Sequence, residues 1–214
     1  MSETKKYLAI ILVFLIYILA FSLSLFSVVY NMGLYDDLFL KHDVYTRFEK
    51  EDALAAVDNI LLFLDSKTKL DNEFFKSDEI SHLNDVKFLF NRIKLIFNIS
   101  LMLFLGLSFY VIITYNFWKF YNLYLRYILY SAFTLIFFII LLYSFFGFDF
   151  IFLKFHEIFF IDNYSFDPNV SNMKALFPDS FFLEMSFLII TRTLILIFLL
   201  FIPSLFQKFH RNIN

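Results

Sequence analysis

Four apolar stretches, at residues 7–30, 95–117, 127–148 and 185–206, constrain this 214-residue chain more than anything else in it. Each is long enough to cross a hydrocarbon core, which takes about 20 apolar residues. Lipid offers backbone N–H and C=O groups no partner, so a crossing segment has to be a helix or part of a closed barrel. A barrel strand needs apolar residues at every second position, and these stretches do not alternate. With 60% hydrophobic residues, 3 Gly and 3 Pro, they read as continuous helices. The expected class is an all-α-dominated integral membrane protein, one membrane domain over residues 1–214.

Charge then orients the helices. Apart from Glu3, every acidic residue falls between the first and second stretches or between the third and fourth. The ends and the short middle connection carry Lys5, Lys6, Lys119, Arg126, Lys208 and Arg211. Basic residues stay in the cytoplasm, so both termini are expected there and the two acidic loops outside. Residues 31–93 and 149–184 then form an outer, extracellular cap. The first stretch follows a basic pair like a signal peptide, but it is too long for one and ends at Ser27-Val28-Val29-Tyr30 without a small-residue cleavage site. Zero cysteines exclude disulfides, thiolate nucleophiles and thioester intermediates.

Within the first outer loop, residues 32–45 suggest extended structure, and 49–65 carries Leu54, Val57, Leu61 and Leu64 at helical spacing. Ser77 reads as an N-cap, with Asp78 and Glu79 in the first turn. From there an apolar stripe runs into the second membrane stretch, so Glu79, His82 and Asp85 share one side of a long helix. The middle loop, 117–126, holds the interfacial aromatics Trp118, Tyr121 and Tyr124. Turn signals and a short helix over 171–176 are expected in the second outer loop.

Of four histidines, His82 and His156 stand at the outer membrane edge in acid-bearing motifs, whereas His42 is deep in the first loop and His210 is cytoplasmic. Glu79, Asp85 or Glu157 is positioned to orient an imidazole by accepting a ring N–H. Phe155, Phe159, Phe160 and Tyr164 flank His156 as pocket candidates. Arg192 is a charge inside the fourth stretch, either functional or snorkelling to headgroups. A zinc-protease helix fails because Phe160 stands where the second histidine belongs, so no metal is assigned. There is no Gly-x-Ser-x-Gly elbow, and no serine is distinguished from the rest.

Taken in order, Tyr30-Asn31-x-x-Leu34-Tyr35, Glu79-x-x-His82-x-x-Asp85-Val86-Lys87, Phe155-His156-x-Ile158-Phe159-Phe160, Phe166-Asp167-Pro168 and Leu176-Phe177-Pro178-x-x-Phe181-Phe182 resemble the bacterial lipoprotein intramolecular transacylase family over most of the chain. Ser165 and Leu83 depart from its pattern, in place of a Trp and a Met. The resemblance implies four membrane helices under a cap, and catalytic histidines at His82 and His156. It implies transfer of the sn-2 acyl chain of a diacylglyceryl-modified cysteine to that cysteine's α-amino group, yielding a lyso-form lipoprotein.

The implied partners are diacylglyceryl-modified lipoproteins and membrane lipid, with no cofactor and no nucleic acid. On the sequence, His82 leans toward the base, oriented by Glu79 or Asp85. Two other classes stay open: a non-enzymatic sensor or assembly protein with pH- or metal-responsive loop histidines, and a lipid hydrolase.

Overall fold

The computed structural model describes residues 3–160 and 165–203, and these contain helices and no strand. The elements are α1 Glu3–Val29, α2 Met32–Lys41, a 3-10 turn at Val44–Thr46, α3 Lys50–Leu64, α4 Ser77–Thr114, α5 Phe117–Phe159, α6 Asn172–Leu176 and α7 Asp179–Leu199. The helices α1, α4, α5 and α7 are each long and apolar enough to cross a membrane. Their surfaces agree with that. Met102 is 75% exposed and Phe137 65% exposed, with Phe14 and Phe109 similar. A soluble domain rarely leaves so continuous an apolar surface in water, whereas lipid tails cover it at no cost. The chain is a multi-pass membrane protein.

It divides into two compact units, the first drawn from residues 1–25, 94–142 and 189–214, the second from 26–93 and 143–188. The first unit packs four helices on one apolar core. Leu12, Val13 and Ala20 of α1 meet Val111 of α4, Phe120, Tyr124, Leu125 and Ile128 of α5, and Ile197 of α7. Between helices in lipid the hydrophobic effect vanishes, so close van der Waals contact and a few polar links hold them. One such link brings the Tyr17 hydroxyl 3.4 Å from the Ile128 carbonyl. Ser131 Oγ lies 3.2 Å from that same hydroxyl.

In the second unit, α3 buries Ala53, Ala56, Val57, Ile60, Leu61 and Leu64, the three- and four-residue spacing of an amphipathic helix. Residues 32–41 are helical, not extended. Tyr35, Leu38 and Phe39 recur at helical spacing and are all buried. They form an aromatic core with Phe177 and Phe181, in which Phe39 stands 5.9 Å from Phe177 and 5.8 Å from Phe181. The apparent alternation in the sequence came from apolar residues beyond this stripe.

Three boundaries also differ from expectation. The middle connection shrinks to Tyr115 and Asn116, because the Asn116 side chain accepts from the Lys119 N–H at 3.0 Å and starts α5 there. Lys76, not Ser77, is the N-cap of α4, since its carbonyl accepts the first helical bond, from Ile80 N–H at 2.9 Å. Finally, α5 is broken. Gly147 sits at φ 71°, ψ 172°, a conformation open essentially to glycine alone. The chain resumes as a helix beyond it, and that second piece carries His156.

A Cβ at residue 147 meets nothing within 4 Å, so Gly147→Ala tests backbone strain without a steric clash. The substitution is expected to cost about 1–3 kcal/mol, read as a lowered thermal unfolding midpoint in detergent. Gly106→Ala, where space is equally open and no positive φ occurs, is expected to leave that midpoint unchanged or raise it.

Candidate active site

His82 and His156 both belong to the second unit, one turn along α4 from Glu79 and near the C-terminus of α5. Their rings are nearly parallel, 17° apart in tilt, with centroids separated by 6.0 Å. Both rings are thus near enough to reach one reacting group at their edges. Aromatic rings enclose the pair. Phe160 stands 4.7 Å from His82 and 5.3 Å from His156, touching both. Phe166 closes the His82 side at 5.6 Å. Phe152 and Phe155 close the His156 side at 4.3 and 5.5 Å.

The two imidazoles are held differently. His156 Nδ1–H donates to the Phe152 carbonyl one turn earlier, at 2.7 Å. With the proton on Nδ1, the lone pair of a neutral ring sits on Nε2. His82 is buried, and its Nδ1 has no hydrogen-bond partner among the described residues. A buried polar atom left unpaired costs about 1–3 kcal/mol, so His82 Nδ1 gains from any partner beyond the described residues.

Both histidines lie outside the apolar spans, and burial lowers the pKa of each. Burial pushes His82 down to about 4; neighbouring His156 lowers it further, and Asp85 opposes. For His156 burial again leads, the bond to Phe152 opposes it, Lys174 lowers and Asp179 raises. At neutral pH the pair is therefore uncharged, the form that takes up a proton.

None of the carboxylates expected to orient a ring bonds to one. Glu79 is fully buried and accepts from Lys76 N–H at 2.7 Å, Met173 N–H at 2.9 Å and the Ser171 hydroxyl. It ties the first turn of α4 to the segment entering α6, and so sets His82 from behind. Asp85 is exposed and reaches His82 only through its charge. Glu157 is exposed and paired with Lys154 at 2.5 Å, leaving the Phe152 carbonyl to fix His156.

Among the pocket candidates, Phe155 and Phe160 face the rings, and Phe159 packs on Phe155 at 4.8 Å, one layer out. Tyr164 lies outside the described residues. Arg192 belongs to the first unit. Phe152, Phe166, Ser171 and Met173 were not among the site residues read from the sequence. Phe152 stands one helical turn before His156, a spacing that marks it as a neighbour once the helix is known to continue past Gly147.

Helices that cross the membrane and a pair of ring-enclosed imidazoles together define an integral membrane protein with a histidine site shielded from water. The family described as "Lipoprotein intramolecular transacylase Lit" matches residues 10–182, and the chain belongs to that family; it is an acyltransferase of that kind. The solved structure of the membrane-integral lipoprotein intramolecular transacylase Lit from Bacillus cereus is similar to it throughout, with 18% identity, 100% of each chain covered and a TM-score of 0.82. A form of that protein with a histidine replaced by arginine matches with 18% identity and a TM-score of 0.76, over 98% of this chain and 93% of that one. Another, with alanine for a histidine, matches with 17% identity and a TM-score of 0.79, over 99% and 97%. At this identity the likeness is one of fold. No curated protein sequence matches significantly.

Two outcomes test this geometry. Glu79→Ala strands two backbone N–H groups and a hydroxyl, and is expected to destabilise the protein by about 3 kcal/mol or more in detergent unfolding. The ring signals of His82 are expected to titrate with a midpoint near 4 by NMR, and those of His156 below 6.5. Because these folded-state values are depressed, the unfolded chain binds more protons in that window. Stability is therefore complete above about 6.5 and declines as pH falls toward about 4.

Proposed function

We propose that the chain moves the sn-2 acyl chain of a diacylglyceryl-modified N-terminal cysteine onto that cysteine's own α-amino group, with His82 and His156 as the catalytic pair. The observation that carries the reading is the approach of these two rings to 6.0 Å inside a wall of phenylalanines. The donor ester and the acceptor amine belong to one molecule, so no nucleotide or acyl carrier is needed. Attack closes a ring through N, Cα, Cβ, S, two glyceryl carbons, the ester oxygen and the carbonyl carbon. Such rings close reluctantly in free solution, so holding the bend is the main source of rate.

In this mechanism His156 takes the amine proton on Nε2, the nitrogen left basic by the Nδ1–H bond to Phe152. The nitrogen bonds to the ester carbon, and the carbonyl oxygen becomes an oxyanion. His82, neutral at working pH, donates a ring N–H to that oxyanion, a role open to a nitrogen with no partner among the described residues. Collapse breaks the bond to the glyceryl oxygen, which recovers the proton from His156. The products are an amide and a glyceryl hydroxyl. This reverses the lean from sequence, because the backbone bond fixes the tautomer of His156 while no carboxylate fixes that of His82.

The distribution of charge supports an outer-face site with both termini in the cytoplasm, since all acidic residues but Glu3 lie in the two loops assigned outside. Residues 31–93 and 149–184 then form the cap. Exposed Phe155, Ile158 and Phe159 give the acyl chains an apolar approach.

The test is co-expression with a diacylglyceryl lipoprotein in a host lacking the activity, read by mass spectrometry of the N-terminal peptide. His156→Ala and His82→Ala are each expected to reduce lyso-form product by about 100-fold or more while the protein stays inserted. Normal product from either variant overturns the assignment.

A further inference from the structure

A second cluster of reactive side chains lies in the same unit, where the end of α2 meets the start of α7. Ser180 Oγ is 3.0 Å from His42 Nδ1. His42 Nε2 stands 2.9 Å from Glu184 Oε1, at ion-pair distance rather than as an in-line hydrogen bond, so the carboxylate acts on the ring through charge. Lys41 Nζ holds the other oxygen, Glu184 Oε2, at 2.9 Å. A hydroxyl donating to one ring nitrogen, with a carboxylate beside the other, is the arrangement that activates a serine. We propose that Ser180, His42 and Glu184 form a second site, a serine esterase centre acting on long-chain acyl esters.

Position strengthens each member. His42 caps the C-terminus of α2, where the helix dipole favours the imidazolium that forms when the ring takes a proton. Ser180 is exposed in the first turn of the 21-residue α7, where the positive end of a helix favours the oxyanion. The substrate class follows from the surroundings. Phe187, 69% exposed, lies on the same face of α7 as Ser180 and Glu184, and Leu40 beside the cluster is 71% exposed. Lipid acyl chains lie against such residues, so a long-chain ester reaches the cluster more readily than a polar one.

The chemistry balances without a further reagent. Ser180 Oγ bonds to the ester carbon as its proton passes to His42 Nδ1. The alcohol leaves with that proton, giving acyl-Ser180. Water, deprotonated by His42, then releases the carboxylic acid and returns the proton to Ser180, so ester and water become acid and alcohol. Lys41 shares the carboxylate and weakens its pull on His42, which makes this a slow activity beside acyl transfer.

The experiment treats the intact protein in detergent with a fluorophosphonate, which reacts with activated serines and not with ordinary ones, and maps the adduct by mass spectrometry. The expected result is label on Ser180, absent in Ser180→Ala, slowed about 100-fold in His42→Ala and retained in His82→Ala. Hydrolysis of a long-chain p-nitrophenyl ester is expected to follow the label, while lyso-lipoprotein production continues in Ser180→Ala. No adduct on Ser180, undiminished label in His42→Ala, or loss of the lyso-form in Ser180→Ala overturns the proposal. The His82→Ala arm keeps its failure separate from that of the histidine-pair mechanism.

Discussion

The buried side chain of Glu79 is the interaction on which the histidine site rests. Its two oxygens receive two backbone N–H groups and a hydroxyl, from the first turn of α4 and from the segment that opens α6. A carboxylate withdrawn from water is costly unless each bonding position is met, and donors from two separate stretches of chain meet these. The cost is therefore offset only when residues 171–173 stand against α4. That condition fixes the helix on which His82 sits and the Phe166 segment that closes over it. Ser171 adds a second link in the same chain of bonds, since its hydroxyl also accepts from Lys174 N–H at 3.0 Å.

What Glu79 secures, the phenylalanines tune. Imidazole in water is partly protonated near neutrality, and the usual way to make it a better base is a carboxylate partner. Aromatic packing acts in the opposite sense here, holding the imidazoles neutral at the expense of basicity. Rings at 4.3–5.6 Å remove water from both imidazoles and so disfavour their charged forms. The same rings suit a substrate made mostly of acyl chain.

Much of the fold is readable in the residues themselves. Apolar length gives the four membrane helices, and the stripe of Val57, Leu61 and Leu64 gives α3, because both depend on patterns local to one segment. The misread features depend on partners distant in sequence. Residues 32–41 form a helix because Phe39 and Tyr35 find Phe177 and Phe181, some 140 residues away. Gly147 breaks α5 within an unbroken apolar run, and a lone glycine in such a run does not announce a positive φ. The nearness of His82 to His156 was expected from their places beside the apolar stretches. Their hydrogen bonding was not: an acidic neighbour at helical spacing suggested an orienting carboxylate, whereas Glu79 found better-placed donors and Glu157 found Lys154.

The asymmetry between the two imidazoles follows from that same competition for partners. The Phe152 carbonyl is available to His156 because the ring lies back over the preceding turn of its own helix, so the orienting bond needs no residue from elsewhere. His82 has the rings of Phe160, Phe166 and His156 beside it, and its Nδ1 has no partner among the described residues. A ring fixed by backbone keeps one basic nitrogen in one direction, which suits repeated transfer of a proton out and back. One without a partner stays free to donate along whatever line a tetrahedral oxygen requires. Two identical side chains, 6.0 Å apart in one aromatic enclosure, are thus held in different ways, one by a backbone carbonyl and the other by packing.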